Sequence, residues 1–366
     1  MTHKTGVFEH LSSGRIVMNI LNGYIGTYYS EKSPGIFHFQ FNTITGALTD
    51  PSLFYPARNA KCAALWENSL AVPLEKDGKA GVCLLDTASE SSFMQGKTEL
   101  SAEHKKVCME LLAEHKTACF LYQDSSCIYT ANYHEGTVCI YQKETEGLIL
   151  YKKIEIAPLA GCHQILFHSH YMLVPCLEMD EIRIFDASAD YQTAGTISFP
   201  KGSGPRHGIF NMSHNRLYVV SERSNELFTF ALSDDLDFRR LSQISVLNPE
   251  SHSGSENASA AIRLSPDEHF LYVSVRGADM ITVISLTSEF PKAIQYASCQ
   301  GSHPRDFILS PNGRYLITVN RTSNEMVCLC RNSITGFLED VCSRVPIAEG
   351  VGIILEAETL SKTKSR

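Results

Sequence analysis

The sequence predicts an all-β protein folded as a seven-bladed β-propeller of four-stranded antiparallel blades, and three features of the chain carry that expectation. One hairpin pattern recurs seven times along 366 residues. Within each copy the apolar residues alternate with period two, as half-buried strands require. The turns carry Ser-Pro-Asp-Glu (265–268) and Ser-Pro-Asn-Gly (310–313), which is turn chemistry and not helix capping.

The clearest copies span 204–230, 259–284 and 303–329. Each reads as an apolar strand, a polar turn, a second strand of the Leu-Tyr-Val type, another turn and a third alternating strand. Weaker copies occupy 161–185, 117–141 and 60–85, and the most degraded lies around 22–41. Anchoring each on the middle of its second strand gives Ile25, Ala71, Tyr129, Leu173, Tyr218, Tyr272 and Ile317, with spacings of 46, 58, 44, 45, 54 and 45 residues. That period matches propeller blades of roughly 40 to 50 residues. A ring must not leave an open edge, so the last apolar strand, 351–355, is expected to pair with the N-terminal blade. Residues 1–366 then form one domain, with 361–366 a frayed tail. Helix should be scarce, 109–115 being the best short candidate, and the extra residues at 87–116 are an insertion between the second and third blades.

Composition narrows the function. Hydrophobic residues at 43% and charged residues at 20% can build a real core, which excludes a disordered scaffold. With 32 Lys and Arg against 40 Asp and Glu, the formal charge of −8 repels nucleic acid and anionic membrane surfaces alike. Residues 1–22 hold no apolar run of secretory length, and no segment approaches the roughly 20 apolar residues that span a bilayer. The expected compartment is the cytoplasm. The twelve cysteines form no C-x-x-C pair, the nearest two being Cys328 and Cys330. Most sit in apolar runs, as Cys119, Cys139 and Cys328 do, where a reduced thiol packs as a small hydrophobe. Reduced, metal-free cysteines are the expectation. His168 and His170 fall in a turn and are not read as metal ligands. His207, His214, His252, His269 and His303 lie at irregular phases and are read as surface or supporting residues. No Gly-rich phosphate loop and no G-x-S-x-G elbow is present, so a covalent serine mechanism has no support.

Repeat phase points to a site. If the blade-five turn centres between Ser213 and His214, Arg206 stands opposite Ser221. Arg206 and Arg305 both fall twelve residues before their anchors, and Glu222, Arg276 and Arg321 all fall four residues after theirs. Equivalent phases in different blades form a ring about the propeller axis, so these four arginines and one carboxylate should meet at one mouth of the channel. His163, ten residues before its anchor, should lie close by. Several guanidiniums around one funnel need carboxylates or a bound anion, which suits a small, multiply anionic, oxygen-rich substrate. Glutamate and histidine are the proton-transfer groups.

The segments GSGPRH (202–207), YVVSER (218–223), SAAIRLSPDEHFLYVSVRGAD (259–279) and HPRDFILSPNGRYLITVNRTSN (303–324) resemble the seven-bladed lactonase family, to which bacterial 6-phosphogluconolactonase and fungal carboxy-cis,cis-muconate cyclase belong. The resemblance covers about 23–356. It implies a catalytic set of His163, Arg206, Glu222 and Arg276, on residues that repeat phase selects independently. It implies hydrolysis of a sugar δ-lactone, foremost 6-phosphogluconolactone to 6-phosphogluconate in the oxidative pentose phosphate route, with no metal or organic cofactor. Arg305, Asn320 and Arg321 would then hold the phosphate. Glu222 and His163 share the base and acid roles, in an order the sequence leaves open. A lactonizing cycloisomerase acting on a muconate-like dicarboxylate and a non-catalytic binding platform stand as alternatives. The expected partner is a small anionic lactone or sugar phosphate, with neither nucleic acid nor membrane, and nothing in the sequence sets an oligomeric state.

Overall fold

Residues 19–88, 107–233, 236–250 and 257–356 are described by the structure, a computed structural model. They form seven four-stranded antiparallel sheets arranged as the blades of a propeller. Each anchor residue falls in the second strand of its blade: Ile25 in Ile20–Thr27, Ala71 in Ser69–Lys76, Tyr129 in Cys127–Asn132 and Leu173 in Tyr171–Cys176. Tyr218, Tyr272 and Ile317 follow in Arg216–Ser221, Phe270–Arg276 and Tyr315–Asn320. The ring closes as expected. Gly350–Leu355 supplies the first strand of blade 1 and pairs with Ile20–Thr27, Gly23 opposite Leu355 and Ile25 opposite Ile353. Asn22 fastens the seam by donating to Glu356 at 2.9 Å.

The core consists of seven apolar clusters, one in each space between neighbouring blades. Ile25 and Phe39 of blade 1 pack with Ile317 and Met326 of blade 7. Leu173 and Ile182 of blade 4 pack with Val219 and Phe228 of blade 5. Second strands are covered on both faces, so Phe270–Arg276 and Tyr315–Asn320 are buried at every residue. Their sequences therefore read as continuous apolar runs, as strands buried on both faces do. Outer strands such as Phe238–Ser245 cover only one face and keep polar residues outward.

Two expectations are corrected. Residues 109–115 are not helical: Val107–Glu114 is the outer strand of blade 2, with Leu111 opposite Val82 and Met109 opposite Leu84. Met, Glu, Leu and Ala favour helix, but the open edge of Lys79–Asp86 offers backbone partners and an apolar face, and that tertiary pairing prevails. Residues 107–114 of the 87–116 insertion are thus part of a blade. The cysteines are not all reduced, since Cys330 and Cys342 form a disulfide across the third and fourth strands of blade 7. Hairpin pairing, not sequence spacing, brings them together. Residues 89–106, the tail 361–366 and His252 lie outside the described residues. No described helix is long and apolar enough to cross a membrane.

Candidate functional site

The arginines are aimed by a repeated irregularity. In blade 5, Pro205 stands opposite Ser221 and His207 opposite Val220, leaving Arg206 as the extra residue of a bulge. This corrects the expected Arg206–Ser221 pairing by one position. Blade 7 repeats the pattern, with Pro304 opposite Asn320, Asp306 opposite Val319, and Arg305 in the bulge. A bulge bends its strand and redirects a side chain. Both arginines accordingly line a central cavity of about 310 Å³, together with His163, His207, Arg263, Lys61, Cys119 and Asp306. That volume is at the small end of small-molecule sites.

Glu222 follows the second strand of blade 5, its backbone held by Glu222 N to Gly204 O at 2.7 Å and Ser259 N to Glu222 O at 3.2 Å. Its Oε2 accepts from Arg206 Nε at 2.8 Å and Arg276 Nη2 at 2.9 Å. Oε1 has no partner among the described residues. Arg206 is further fixed by Nη1 to Ala260 O at 2.6 Å, and Arg276 by Nε to Ala258 O at 3.1 Å. Arg206 Nη2 and Arg276 Nη1 keep donors free of protein acceptors among the described residues. Burial alone would raise the Glu222 carboxyl, but the guanidiniums of Arg206, Arg276 and Arg305 outweigh it and hold the group below the ordinary carboxylate range. Burial draws the Arg206 guanidinium down to about 9, still cationic at neutral pH.

His163 leads into blade 4, held by His163 N to Pro175 O at 3.0 Å. Its Nδ1 lies 3.1 Å from His207 Nε2. Its ring meets Tyr133 edge-on at 5.9 Å. Burial, then the cation of Arg206, pushes both imidazoles well below their usual value. Both rings are neutral at pH 7, so a single N–H lies between them. His207 is buried at 8% exposure and is a supporting residue of His163, not a surface one; the bulge at Arg206 turns it inward as well.

The remaining expected binding residues separate. Arg305 lines the cavity, without a carboxylate partner among the described residues, and lies 5.5 Å from the Tyr28 ring. Arg321 is turned to another partner, its Nε donating to Glu349 Oε2 at 2.8 Å and its guanidinium lying 4.5 Å from the centre of the same Tyr28 ring. Asn320 is buried and bridges blades, donating to Cys299 O at 3.0 Å and accepting from Thr318 Oγ1 at 3.2 Å. Arg321, Asn320, Glu222 and Arg276 are not among the residues that line the cavity; Glu222 and Arg276 adjoin it through the Arg206 ion pair. Two lining residues escaped the sequence reading although a signal existed: Lys61 and Cys119 stand ten residues before Ala71 and Tyr129, the offset of His163 from Leu173. Among the described residues, no group of three His, Cys, Asp or Glu side chains is placed to hold a metal ion.

A propeller in which Arg206, a lining residue of the central cavity, shares one carboxylate with a second arginine defines a class of site for small anionic molecules. The chain belongs to the seven-bladed β-propeller lactonase family, whose family model matches residues 22–355. It is 28% identical to the 6-phosphogluconolactonase of Bacillus subtilis over 345 residues, 89% of this chain and 95% of that one. It is 27% identical to the Yersinia pestis 6-phosphogluconolactonase over 61% of this chain and 68% of that one. Among solved structures, a Lactobacillus plantarum protein superposes with a TM-score of 0.81 at 23% identity, over 92% of this chain and all of that one. The periplasmic gluconolactonase of Pseudomonas aeruginosa superposes at 0.78 with 20% identity, over 93% and 99%. Both structural likenesses speak to the fold. The protein is an enzyme of the lactonase class and not a non-catalytic platform.

Proposed function

We propose that the protein hydrolyses a phosphorylated sugar δ-lactone, 6-phosphogluconolactone, to the open-chain acid, in the oxidative pentose phosphate route of the cytoplasm. The observation that carries this reading is the Glu222 carboxylate, ionised and clasped on Oε2 by Arg206 and Arg276 while Oε1 stays free. Glu222 Oε1 takes a proton from water as the water oxygen bonds to the lactone carbonyl carbon. The free donors of Arg206 and Arg276 hold the resulting oxyanion. Collapse of the tetrahedral centre breaks the ring C–O bond, and Glu222 returns its proton to the leaving alkoxide. One residue thus shuttles the proton, and the product carboxylic acid loses its own to solvent. An anionic substrate beside the two arginines offsets part of their field and restores basicity to Glu222. His163, neutral and anchored on His207, presents its second ring nitrogen as a hydrogen-bonding group for water or substrate, and Arg305 binds the phosphate.

One observation favours a second reading: Leu65, Phe120, Leu121, Ile308 and Ile354 also line the cavity, an apolar wall suited to the bare carbon skeleton of a muconate-like lactone. The deciding experiment measures 6-phosphogluconate formation from freshly generated 6-phosphogluconolactone, with the spontaneous opening rate subtracted, beside interconversion of a carboxymuconate and its lactone. A wild-type rate well above background on the sugar lactone supports the first reading. Background rates there, with turnover of the muconate pair, replace it with the second.

A further inference from the structure

Among the described residues, four cationic side chains line the cavity, Lys61, Arg206, Arg263 and Arg305, against one carboxylate, Asp306. Two of the four are already neutralised. Arg206 is bound to Glu222, and Arg263 donates to Asp306 at 2.9 Å, whose second oxygen accepts from Ile353 N at 3.2 Å. Lys61 and Arg305 have no carboxylate partner among the described residues; Lys61 Nζ donates only to the carbonyl of Thr117, at 3.2 Å. Two uncompensated cations in a half-buried cavity are an unfavourable arrangement unless an anion completes it.

Their placement is as telling as their number. Lys61 comes from the leading segment of blade 2, Arg206 from blade 5 and Arg305 from blade 7, so the three cations are spread around the channel three, two and two blades apart. Lys61 and Arg305 flank blade 1 on either side, away from the Arg206–Glu222 pair. The Lys61 segment reaches this position because blade 1 carries glycine where the two meet. A Cβ on Gly26 would stand 2.7 Å from the Lys61 carbonyl carbon, and one on Gly352 2.6 Å from its oxygen. Cys119 lines the same cavity, and each of the three cations opposes the effect of burial on its thiol.

We infer that Lys61 and Arg305 form an anion subsite on the blade 1 side of the channel, and that Lys61 is the residue by which the enzyme recognises a remote phosphate on its substrate while the reacting carbonyl lies at Arg206 and Glu222. This rests on the lactone hydrolysis proposed above, and it adds a direction: the substrate spans the channel from blade 5 toward blade 1. A dianionic phosphate can satisfy both free cations at once, whereas an uncharged end of a lactone satisfies neither.

The test uses the full chain and two unreactive acids, 6-phosphogluconate and gluconate, titrated by calorimetry into wild type, Lys61→Met, Lys61→Arg and Arg305→Met. Wild type should bind the phosphorylated acid more tightly. Loss of one charged hydrogen-bonding partner should weaken 6-phosphogluconate roughly 10- to 100-fold in Lys61→Met and in Arg305→Met, and change gluconate much less. Lys61→Arg, which keeps the charge, should recover most of the affinity. Equal weakening of both acids, or no weakening in a Lys61→Met protein that melts cooperatively, overturns the subsite. If Lys61→Met does not fold, Arg305→Met carries the same test. Failure of wild type to prefer the phosphorylated acid also overturns it. A wild type that shows the Lys61-dependent preference but no lactone hydrolysis leaves the subsite standing and removes the proposed reaction instead.

Discussion

Arg206, 3% exposed, donates Nε to Glu222 Oε2 at 2.8 Å, and Arg276 reaches the same oxygen from the next blade at 2.9 Å. Two cations on one carboxylate oxygen keep it ionised and leave the other oxygen for chemistry. A surface ion pair contributes little, but this cluster is buried enough that its members depend on one another.

Glu222→Gln keeps the shape and removes the proton shuttle. Lactone hydrolysis above the spontaneous rate should fall roughly 10²- to 10⁴-fold, the range for a positioned general base. Retention of more than a tenth of wild-type kcat would refute Glu222 as the base.

Arg206→Lys is not a conservative change here. The guanidinium serves Glu222 through Nε and Ala260 through Nη1 at once, and an ammonium cannot reproduce that fork. A drop of about 10²- to 10³-fold in kcat is expected, as for loss of an oxyanion donor. Steady-state kinetics showing only a raised KM would reassign Arg206 to ground-state binding.

The pH profile follows from the directions of the pKa shifts. Glu222 titrates below the ordinary carboxylate range, and both buried histidines titrate well below 6.5. The acid limb of kcat/KM should therefore lie below pH 4.5, with no inflection near 6.5. A rate profile that breaks between pH 6 and 7 would instead place a titrating histidine in the reaction.

Stability should respond at higher pH than activity does. His163 and His207 stay neutral in the fold but take up protons when unfolded, so stability is full above about 6.5 and is lost as pH falls from there toward the lowered native values. Each histidine contributes a slope of about 1.4 kcal/mol per pH unit over that window. Urea unfolding of wild type and His207→Gln between pH 7 and 5 should show a shallower loss in the variant. Glu222 acts in the same sense at lower pH, where its contribution is present above 4.5 and disappears as pH drops through its depressed value.

Ile25→Ala should destabilise the ring at its seam. Ile25 is fully buried in the cluster joining blades 7 and 1, and pairs with Ile353 of the closing strand. A loss of about 2–5 kcal/mol is expected, read as a lower urea midpoint. A change under 0.5 kcal/mol would mean that the seam is held by its hydrogen bonds and not by packing.

Much of this molecule is legible before folding because strand registers are local. The seven anchors fell in seven second strands since alternation and turn residues act over ten residues or fewer. The same locality explains the misses. Nothing within 109–115 reveals that an unpaired edge awaits it, and nothing near Arg206 announces a bulge, because its cause is the pairing with Arg216–Ser221. Lys61 and Cys119 were readable in principle, at the offset of His163, but they lie in two of the weaker copies of the repeat.

The sequence by itself determined the number of blades, the strand that closes the ring, and the shared offset of Arg206 and Arg305, since each depends on periodicity along the chain. Only the tertiary structure decided which of those charges are neutralised. The partners come from different blades: Arg276 lies 54 residues from Glu222, Asp306 lies 43 from Arg263, and Thr117 lies 56 from Lys61. Coulombic pairing depends on distance in space, and no one-dimensional pattern encodes which cations of a ring find carboxylates and which are left facing the channel.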